Sequence, residues 1–217
     1  MRGTILSVML LSALAFAVSA LGAPADDKKD DGFTSLFNGK DFTGWKFKLP
    51  KADADPKETF QVQDGVLVIT GKPNGYLYTD KSFRNYVFRY DWRYVKAPEG
   101  KKSSYNSGLL VHIQGPAKIW PKCVEIQGAN AKHGVLFFLE CKKIDSQYDE
   151  AAKDKAVRPV GEWNTTEAVL GADGSILARI NGAKVSSGKS DLTEGPIGFQ
   201  SEGAEIHLRN LKIKEMK

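Results

Sequence analysis

The chain has 217 residues, and 31 Lys and Arg against 26 Asp and Glu give a formal net charge of +5 at pH 7. Basic proteins can bind nucleic acid, but these lysines are scattered and form no run interleaved with aromatic residues, which argues against a nucleic-acid partner. The length beyond residue 32 suits one sizeable hydrophobic core and is too short for two comfortable domains. We therefore expect a single domain over residues 32–217.

The first 31 residues are predicted to be a processing signal and a leader. Arg2 supplies a short positive segment, residues 5–18 are apolar but too short for a good membrane span, and Val18-Ser19-Ala20 offers the small residues of a cleavage site. A retained membrane anchor is the alternative interpretation of residues 1–20. Residues 21–31 are predicted to be a flexible leader, because they show no apolar periodicity. The sequence thus predicts an exported bacterial protein, periplasmic or extracellular, with no membrane span in the mature chain.

The remainder of the chain is predicted to be almost entirely β-strand. Besides the two segments described next, alternation of apolar and polar residues predicts strands over 66–70, 76–79, 86–95, 135–139, 167–170, 176–180, 183–185, 197–200 and 204–213. Asn181-Gly182 predicts a tight hairpin. Residues 146–155 are predicted as either a short helix or a polar loop, and 97–104 and 142–160 are the longest predicted loops. Many short strands between Gly, Asn and Asp turns predict an all-β fold, an antiparallel β-sandwich of the jelly-roll kind.

Two segments, residues 106–114 and 123–127, alternate apolar residues with hydrogen-bonding ones. Side chains alternate between the two faces of a strand. The apolar residues of each segment are therefore expected to face the core. His112 of the first segment and Glu125 and Gln127 of the second are expected on the opposite face. An imidazole, a carboxylate and amides are groups with which a protein binds a polyhydroxylated ligand.

Two further strands show the same pattern near Asp91 and near His207. If all these strands lie in one sheet, their polar residues form a single surface, which would hold Asp91, Arg93, Asn106, His112, Glu125, Gln127, Gln200, His207 and Arg209. Carboxylates and amides bind adjacent sugar hydroxyls, and arginine donates in a fork. Alternatives stay open, because Glu125 can equally pair with Arg93 across strands. The aromatic residues of 86–94 are more typical of a core than of a sugar platform.

The two cysteines, Cys123 and Cys141, allow two interpretations. An exported protein permits a disulfide between them, and free thiols are equally compatible with the sequence. No histidine pair at ligand spacing accompanies them, which argues against a structural zinc site. No cofactor is predicted, and a divalent metal held by Glu125 and a histidine stays an open alternative.

An ordered set of motifs runs through most of the chain. It comprises Leu36-Phe37-Asn38-Gly39-Lys40-Asp41-Phe42-Thr43-Gly44-Trp45, Asp64-Gly65-Val66-Leu67, residues 76–79, Asp91 with Arg93, Asn106-Ser107-Gly108, Glu125 with Gln127, Gly161-Glu162-Trp163-Asn164, Asn181-Gly182, residues 195–200 and residues 208–213. In this order the motifs resemble the 3-keto-disaccharide hydrolase domain family over about residues 33–217. The resemblance implies a concanavalin A-like lectin/glucanase fold. It also implies cleavage of di- or oligosaccharides that are already oxidised to a ketone at C3.

The chemistry implied by the resemblance can be assigned to residues as a hypothesis. A ketone at C3 acidifies the hydrogen on C2, so removal of that proton permits loss of the C1 aglycone by elimination, after which water adds back. Glu125 is the expected base, and His112 or His207 the expected acid, since imidazole titrates near neutrality. The remaining candidates orient hydroxyls and polarise the carbonyl.

Three other functions are alternatives to cleavage of a 3-keto sugar. A conventional endoglucanase of the same fold needs closely spaced carboxylates on one strand, and Glu125-Ile126-Gln127-Gly128-Ala129 supplies only one. A non-catalytic, lectin-like carbohydrate-binding domain is the main alternative. It is favoured somewhat by Glu202, which stands where the family usually has a histidine. A purely structural sandwich would leave the polar residues of the strands unexplained.

Overall fold

The computed structural model describes residues 32–101, 103–115 and 118–217. The predicted processing signal and leader lie outside the described residues. Within the described residues, the chain forms 18 β-strands, one α-helix and two short 3-10 helices. No helix in this part of the chain is long and apolar enough to cross a membrane.

The elements follow one another with short connections. The strands are β1 (Thr34–Ser35), β2 (Trp45–Lys48), β3 (Phe60–Gln63), β4 (Val66–Ile69), β5 (Gly75–Thr79), β6 (Phe83–Arg84), β7 (Tyr86–Tyr94), β8 (Tyr105–Asn106), β9 (Gly108–Gln114), β10 (Lys122–Gln127), β11 (Leu136–Leu139), β12 (Lys143–Tyr148), β13 (Asn164–Leu170), β14 (Ser175–Ile180), β15 (Ala183–Ser190), β16 (Glu194–Gly195), β17 (Gly198–Gly203) and β18 (Ile206–Glu215). The helices are α1 (Glu150–Ala156) and the 3-10 turns Pro56–Glu58 and Asn130–Lys132.

The strands form two large sheets. Sheet A has nine strands in the order β12-β15-β14-β13-β7-β18-β4-β3, with β1 also paired to β18. Sheet B has seven strands in the order β11-β10-β9-β17-β5-β2, with β8 also paired to β17, and β6 and β16 form a separate pair. The pairs within both sheets are antiparallel, as β7 with β18 and β9 with β10 illustrate. The predicted antiparallel sandwich is therefore confirmed.

The hydrophobic core lies between the two sheets. The central strand of sheet A, β7, turns its tyrosines, Phe88 and Trp92 inward, and all of them are buried. Phe199 of sheet B meets them, with its ring centroid 4.9 Å from that of Tyr90. Because the inward residues of each strand form this core, the alternate residues of sheets A and B point outward on opposite sides of the sandwich.

A bulge in β9 reverses the alternation predicted for this strand. His112 adopts a positive φ of 56°, where the register between β9 and β10 shifts by one residue. Its imidazole turns to the core side, with its ring 5.9 Å from that of Tyr86. Ile113 instead joins Leu110 and Cys123 in a buried cluster separate from the main core. The expectation that His112 faces outward and Ile113 inward is therefore wrong.

Two loop predictions have different outcomes. The hairpin at Asn181-Gly182 is confirmed, since it joins β14 to β15 with φ values of 48° and 87°. The long loop predicted over 142–160 is wrong, because this stretch contains β12 and α1. Of the two alternatives for residues 146–155, the short helix is the one that forms, as α1. Asp149 begins the helix, and its Oδ1 accepts a hydrogen bond from the Ala152 backbone N–H at 2.8 Å.

Candidate functional site

The predicted site residues fall on three different parts of the fold. The outer face of sheet A carries Asp91, Arg93, His207 and Arg209; sheet B carries Asn106, Glu125, Gln127 and Gln200; and His112 lies on the core side of β9. The predicted single surface is therefore wrong. Each of these strands has the polar side that alternation predicts, but β7 and β18 belong to one sheet and β8, β10 and β17 to the other.

On sheet A, Asp91 is held by neighbouring side chains. Its carboxylate accepts hydrogen bonds from Thr165 Oγ1 at 2.7 Å and Asn210 Nδ2 at 2.8 Å. Arg209 Nε donates to it at 3.3 Å. With these three donors, the Asp91 carboxylate is already engaged by the protein itself.

The other polar residues of sheet A are also paired with one another. The guanidinium groups of Arg93 and Arg209 lie 4.6 Å and 4.0 Å from the ring centroid of Trp163. His207 lies between two partners, because Arg93 donates to its Nδ1 at 3.3 Å and its Nε2 contacts Glu205 at 2.7 Å. We interpret this cluster as structural, since it ties the segment before β13 to the outer face of sheet A.

His112 differs from Glu125 both in the direction of its side chain and in the surroundings of that side chain. Its Nδ1 bonds to the Leu192 carbonyl at 3.2 Å. Burial lowers the pKa of His112 to about 4, and the bond to Leu192 opposes this shift. The imidazole is therefore neutral at pH 7 and packed inside the protein, which does not suit the role of acid that the sequence suggested.

Sheet B carries a group of buried polar atoms that have no hydrogen-bond partner among the described residues. They are Tyr76 Oη, Asn106 Oδ1, Glu125 Oε1 and Gln200 Oε1. An unsatisfied buried polar group costs about 1–3 kcal/mol, so a group of four on one sheet requires an explanation. Each of these atoms can form a hydrogen bond with a ligand.

The strand register brings these residues to one face. Gln200 pairs with Tyr76 across β17 and β5, and Glu202 pairs with Asn106 across β17 and β8. Paired residues share a face, and so do Gln200 and Glu202, which are two apart on one strand. Tyr76 packs with Leu110 in the cluster that is separate from the main core. We call this face, with Tyr76, Asn106, Glu125, Gln200 and Glu202, the sheet B site.

Glu125 reaches the site across a glycine. Its carboxylate lies over Gly108 of the neighbouring strand, because a Cβ added at Gly108 would be 2.8 Å from Glu125 Cγ and Cδ and closer still to Oε1. Glu125 itself is 5% exposed. The glycine therefore provides the space that this carboxylate occupies.

The two carboxylates of the site are electrostatically coupled. Burial, and then the charge of Glu202, raise the pKa of Glu125 to about 7. Burial also raises the pKa of Glu202, while a hydrogen bond from the Asn106 side chain lowers it. Among the described residues, no Lys or Arg side chain forms an ion pair with either carboxylate. Within the part of the chain that the structure describes, the site therefore holds two acids with no cationic partner.

Hydrogen bonds of Gln127 and of the Gly128 carbonyl fix the end of β10. The Gln127 side-chain oxygen accepts a hydrogen bond from the Ala129 backbone N–H at 2.7 Å. The Gly128 carbonyl accepts hydrogen bonds from Tyr94 Oη at 2.8 Å and from His133 Nδ1 at 3.1 Å. Burial lowers the pKa of His133 to about 3, so this imidazole is neutral. These bonds hold the strand that carries Glu125 in one position.

Three residues of this region were not among the predicted site residues. Tyr76 and Glu202 share the outward side of their strands with Gln200, and that alternation is the signal that points to them. His133 follows a 3-10 turn and has no periodic signal in the sequence. Among the described residues, no three His, Cys, Asp or Glu side chains form a metal-binding group.

Both cysteines are free thiols in this structure. Cys123 is buried in the cluster with Leu110, while Cys141 Sγ donates a hydrogen bond to the Cys123 carbonyl at 3.2 Å. The backbone carbonyl, rather than the second sulfur, is thus the partner of the Cys141 thiol.

Known proteins resemble this chain over most of its length. A family model described as a 3-keto-α-glucoside-1,2-lyase-like domain matches residues 32–214. A crystal structure from Parabacteroides distasonis ATCC 8503, named a candidate glycosyl hydrolase, is 27% identical, has a TM-score of 0.63, and the match covers 90% of this chain and 99% of that one. No match is found among curated proteins.

Two more distant structures share the fold. The carbohydrate-binding module CBM66 from Bacillus subtilis is 13% identical with a TM-score of 0.58, and the match covers 84% of this chain and 100% of that one. The Bacillus licheniformis β-glucanase is 13% identical with a TM-score of 0.51, and the match covers 85% and 97%. The concanavalin A-like jelly roll predicted from the sequence is thereby confirmed. With its family match spanning nearly every described residue, the chain belongs to the family of 3-keto-α-glucoside-1,2-lyase-like domains.

Proposed function

We propose that this protein cleaves glycosides whose sugar ring carries a ketone at C3, and that it does so at the sheet B site. The proposal rests on a group of four buried polar atoms that find no hydrogen-bond partner in residues 32–101, 103–115 and 118–217. They lie on Tyr76, Asn106, Glu125 and Gln200. Sugar hydroxyls donate and accept hydrogen bonds, so a sugar ring matches such a group. The family match and the neighbour named a candidate glycosyl hydrolase support a carbohydrate-active protein.

In the proposed reaction, Glu125 removes the proton on C2. The C3 ketone acidifies this proton, and a carboxylate whose pKa is about 7 is a suitable base near neutral pH. Loss of the C2 proton allows the bond from C1 to the aglycone oxygen to break, and water then adds across the new double bond. Gln200 and Asn106 carry the amide groups that would bind the ring hydroxyls and the keto oxygen.

The substrate and the location belong to the same proposal. An oxidised di- or oligosaccharide outside the cytoplasm is the expected partner, because residues 1–20 have the pattern of a secretion signal. A lectin-like domain is the alternative function, and it predicts that the same face binds the sugar without releasing an aglycone.

The test compares a glucoside with its 3-keto derivative, incubated with purified protein. We expect aglycone release from the keto sugar only, and Glu125→Gln should bind that sugar without releasing it. Release from the unoxidised glucoside would instead identify a conventional glycosidase, and binding without release by the wild-type protein would identify a lectin. Unchanged turnover in Glu125→Gln would overturn the assignment of the base.

A further inference from the structure

We propose that Glu202 is a second catalytic residue of the sheet B site, and that it gives its proton to the leaving oxygen at C1. This inference rests on the proposed function. It also fills the role of acid, for which the sequence suggested His112 or His207. Those two imidazoles lie on the core side of β9 and on the outer face of sheet A, respectively.

The position of Glu202 follows from strand register. Glu202 pairs with Asn106, and Gly108, which lies beneath the Glu125 carboxylate, is only two residues along the chain from Asn106. The two carboxylates therefore approach one area of the sheet from strands on either side of it. The two carboxylates also interact electrostatically, because the charge of Glu202 raises the pKa of Glu125.

The surroundings of Glu125 and Glu202 favour a state in which the two carboxylates share one proton. Neither Glu125 nor Glu202 has an ion-pair partner among the described side chains. Glu125 is buried and Glu202 is partly buried. Two neighbouring carboxylates with no cation beside them disfavour simultaneous ionisation, so such a pair holds a single proton over a range of pH. Asn106 contributes a hydrogen bond to Glu202, which orients it within the site.

The pair supplies both groups that the elimination requires when its single proton sits on Glu202 and Glu125 is ionised. The C2–H bond breaks and its proton passes to Glu125, while the electron pair of that bond forms the C1–C2 double bond. The bond from C1 to the aglycone oxygen breaks, and this oxygen takes the proton from Glu202. The pair starts and ends with one proton, and the products are a 1,2-unsaturated 3-keto sugar and an alcohol, so no oxidant or reductant is needed.

The test varies the leaving group. A proton donor accelerates cleavage strongly when the leaving group is poor, such as an alkoxide. It accelerates cleavage little when the leaving group is good, such as dinitrophenolate. In Glu202→Gln, which keeps the size of the side chain, we expect kcat/KM for an alkyl 3-keto-glucoside to fall about 10²-fold or more. The value for the dinitrophenyl 3-keto-glucoside should fall less than about tenfold. Tyr76→Phe is the matched control, because it removes the one hydroxyl among the four unpartnered buried atoms of the site.

The outcomes separate this inference from the proposed function. If the wild-type protein is active and Glu202→Gln loses activity equally on both substrates, Glu202 is not the donor and the proposed function stands. A leaving-group dependence in Tyr76→Phe but not in Glu202→Gln also overturns the inference. A wild-type protein inert on every 3-keto-glucoside overturns the donor role together with the proposed function.

A second measurement needs no turnover. Carbon-13 NMR titration of the glutamate carboxyls should show that Glu202→Gln lowers the pKa of Glu125, because the neighbouring charge is removed. An unchanged pKa of Glu125 would overturn the pairing.

Calorimetric titration with calcium or magnesium chloride completes the test. If a cation binds the wild-type site and is required for turnover, and if Glu202→Gln abolishes its binding, the proposal of a shared proton would be overturned.

Discussion

Replacing Gly108 by alanine tests the geometry of the sheet B site. The new methyl carbon would lie 2.8 Å from Glu125 Cγ and Cδ, whereas ordinary van der Waals contact begins near 3.4 Å. The carboxylate must therefore move by about 1 Å, and a displacement of this size lowers catalytic rates about 10²-fold. Gly108 is not among the glycines with positive φ, so alanine fits its backbone.

The same substitution should change stability little. Alanine in a strand gains roughly 0.5–1 kcal/mol over glycine, and the group that must move is the end of a flexible side chain. We expect the free energy of unfolding, measured by denaturant titration, to change by no more than about 2 kcal/mol, while kcat/KM on a 3-keto-glucoside falls about 10²-fold.

Gly171→Ala is the matched control for Gly108→Ala. A Cβ at Gly171 would also meet side-chain atoms, those of Ser175 and Asp173, but it lies at the turn between β13 and β14 of sheet A. This variant should retain wild-type turnover. If Gly108→Ala retained it as well, the position assigned to the Glu125 carboxylate in catalysis would be refuted.

Two other predictions concern the parts of the protein outside the sheet B site. Asp91→Asn should lower the free energy of unfolding by about 1–3 kcal/mol, because three donors lose a charged acceptor, and should leave turnover unchanged; a large loss of turnover would contradict the separation of the two faces. Burial lowers the pKa of His133 to about 3 and that of His112 to about 4, so the unfolded chain binds these protons first as the pH falls. Each neutral histidine therefore makes its whole contribution to the free energy of unfolding above about pH 6.5. Below that pH the contribution is lost, by roughly 2 kcal/mol per histidine between pH 7 and pH 5. Chemical denaturation at several pH values should show a shallower loss in His133→Gln, and an unchanged slope would contradict the assignment.

Local patterns in the sequence were sufficient to predict most strands. The alternation in β7 correctly placed its aromatic residues in the core, and Asn181-Gly182 correctly placed a hairpin. The strand β12 was missed because most of its residues are exposed and carry no apolar alternation; it forms through pairing with β15. Such a strand depends on its neighbour in the sheet, which local patterns do not reveal.

The site was predicted only in part, for a related reason. Alternation tells which residues of a strand point outward, but it does not tell which sheet the strand joins. Asn106, Glu125 and Gln200 were thus correctly grouped on one sheet, while Asp91 and His207 were wrongly added to them. The bulge at His112 is a second limit, because one extra residue reverses the direction of a side chain.

Solvent deuterium at C2 tests the central claim most directly. If Glu125 removes the C2 proton and water later adds back, cleavage of a 3-keto-glucoside in D₂O must leave one deuterium at C2 of the sugar product. A control incubation of the sugar product without protein measures spontaneous exchange beside the ketone. We predict enzyme-dependent deuterium at C2, detected by NMR, which is absent when Glu125→Gln replaces the wild-type protein. Aglycone release with hydrogen fully retained at C2 would contradict the account.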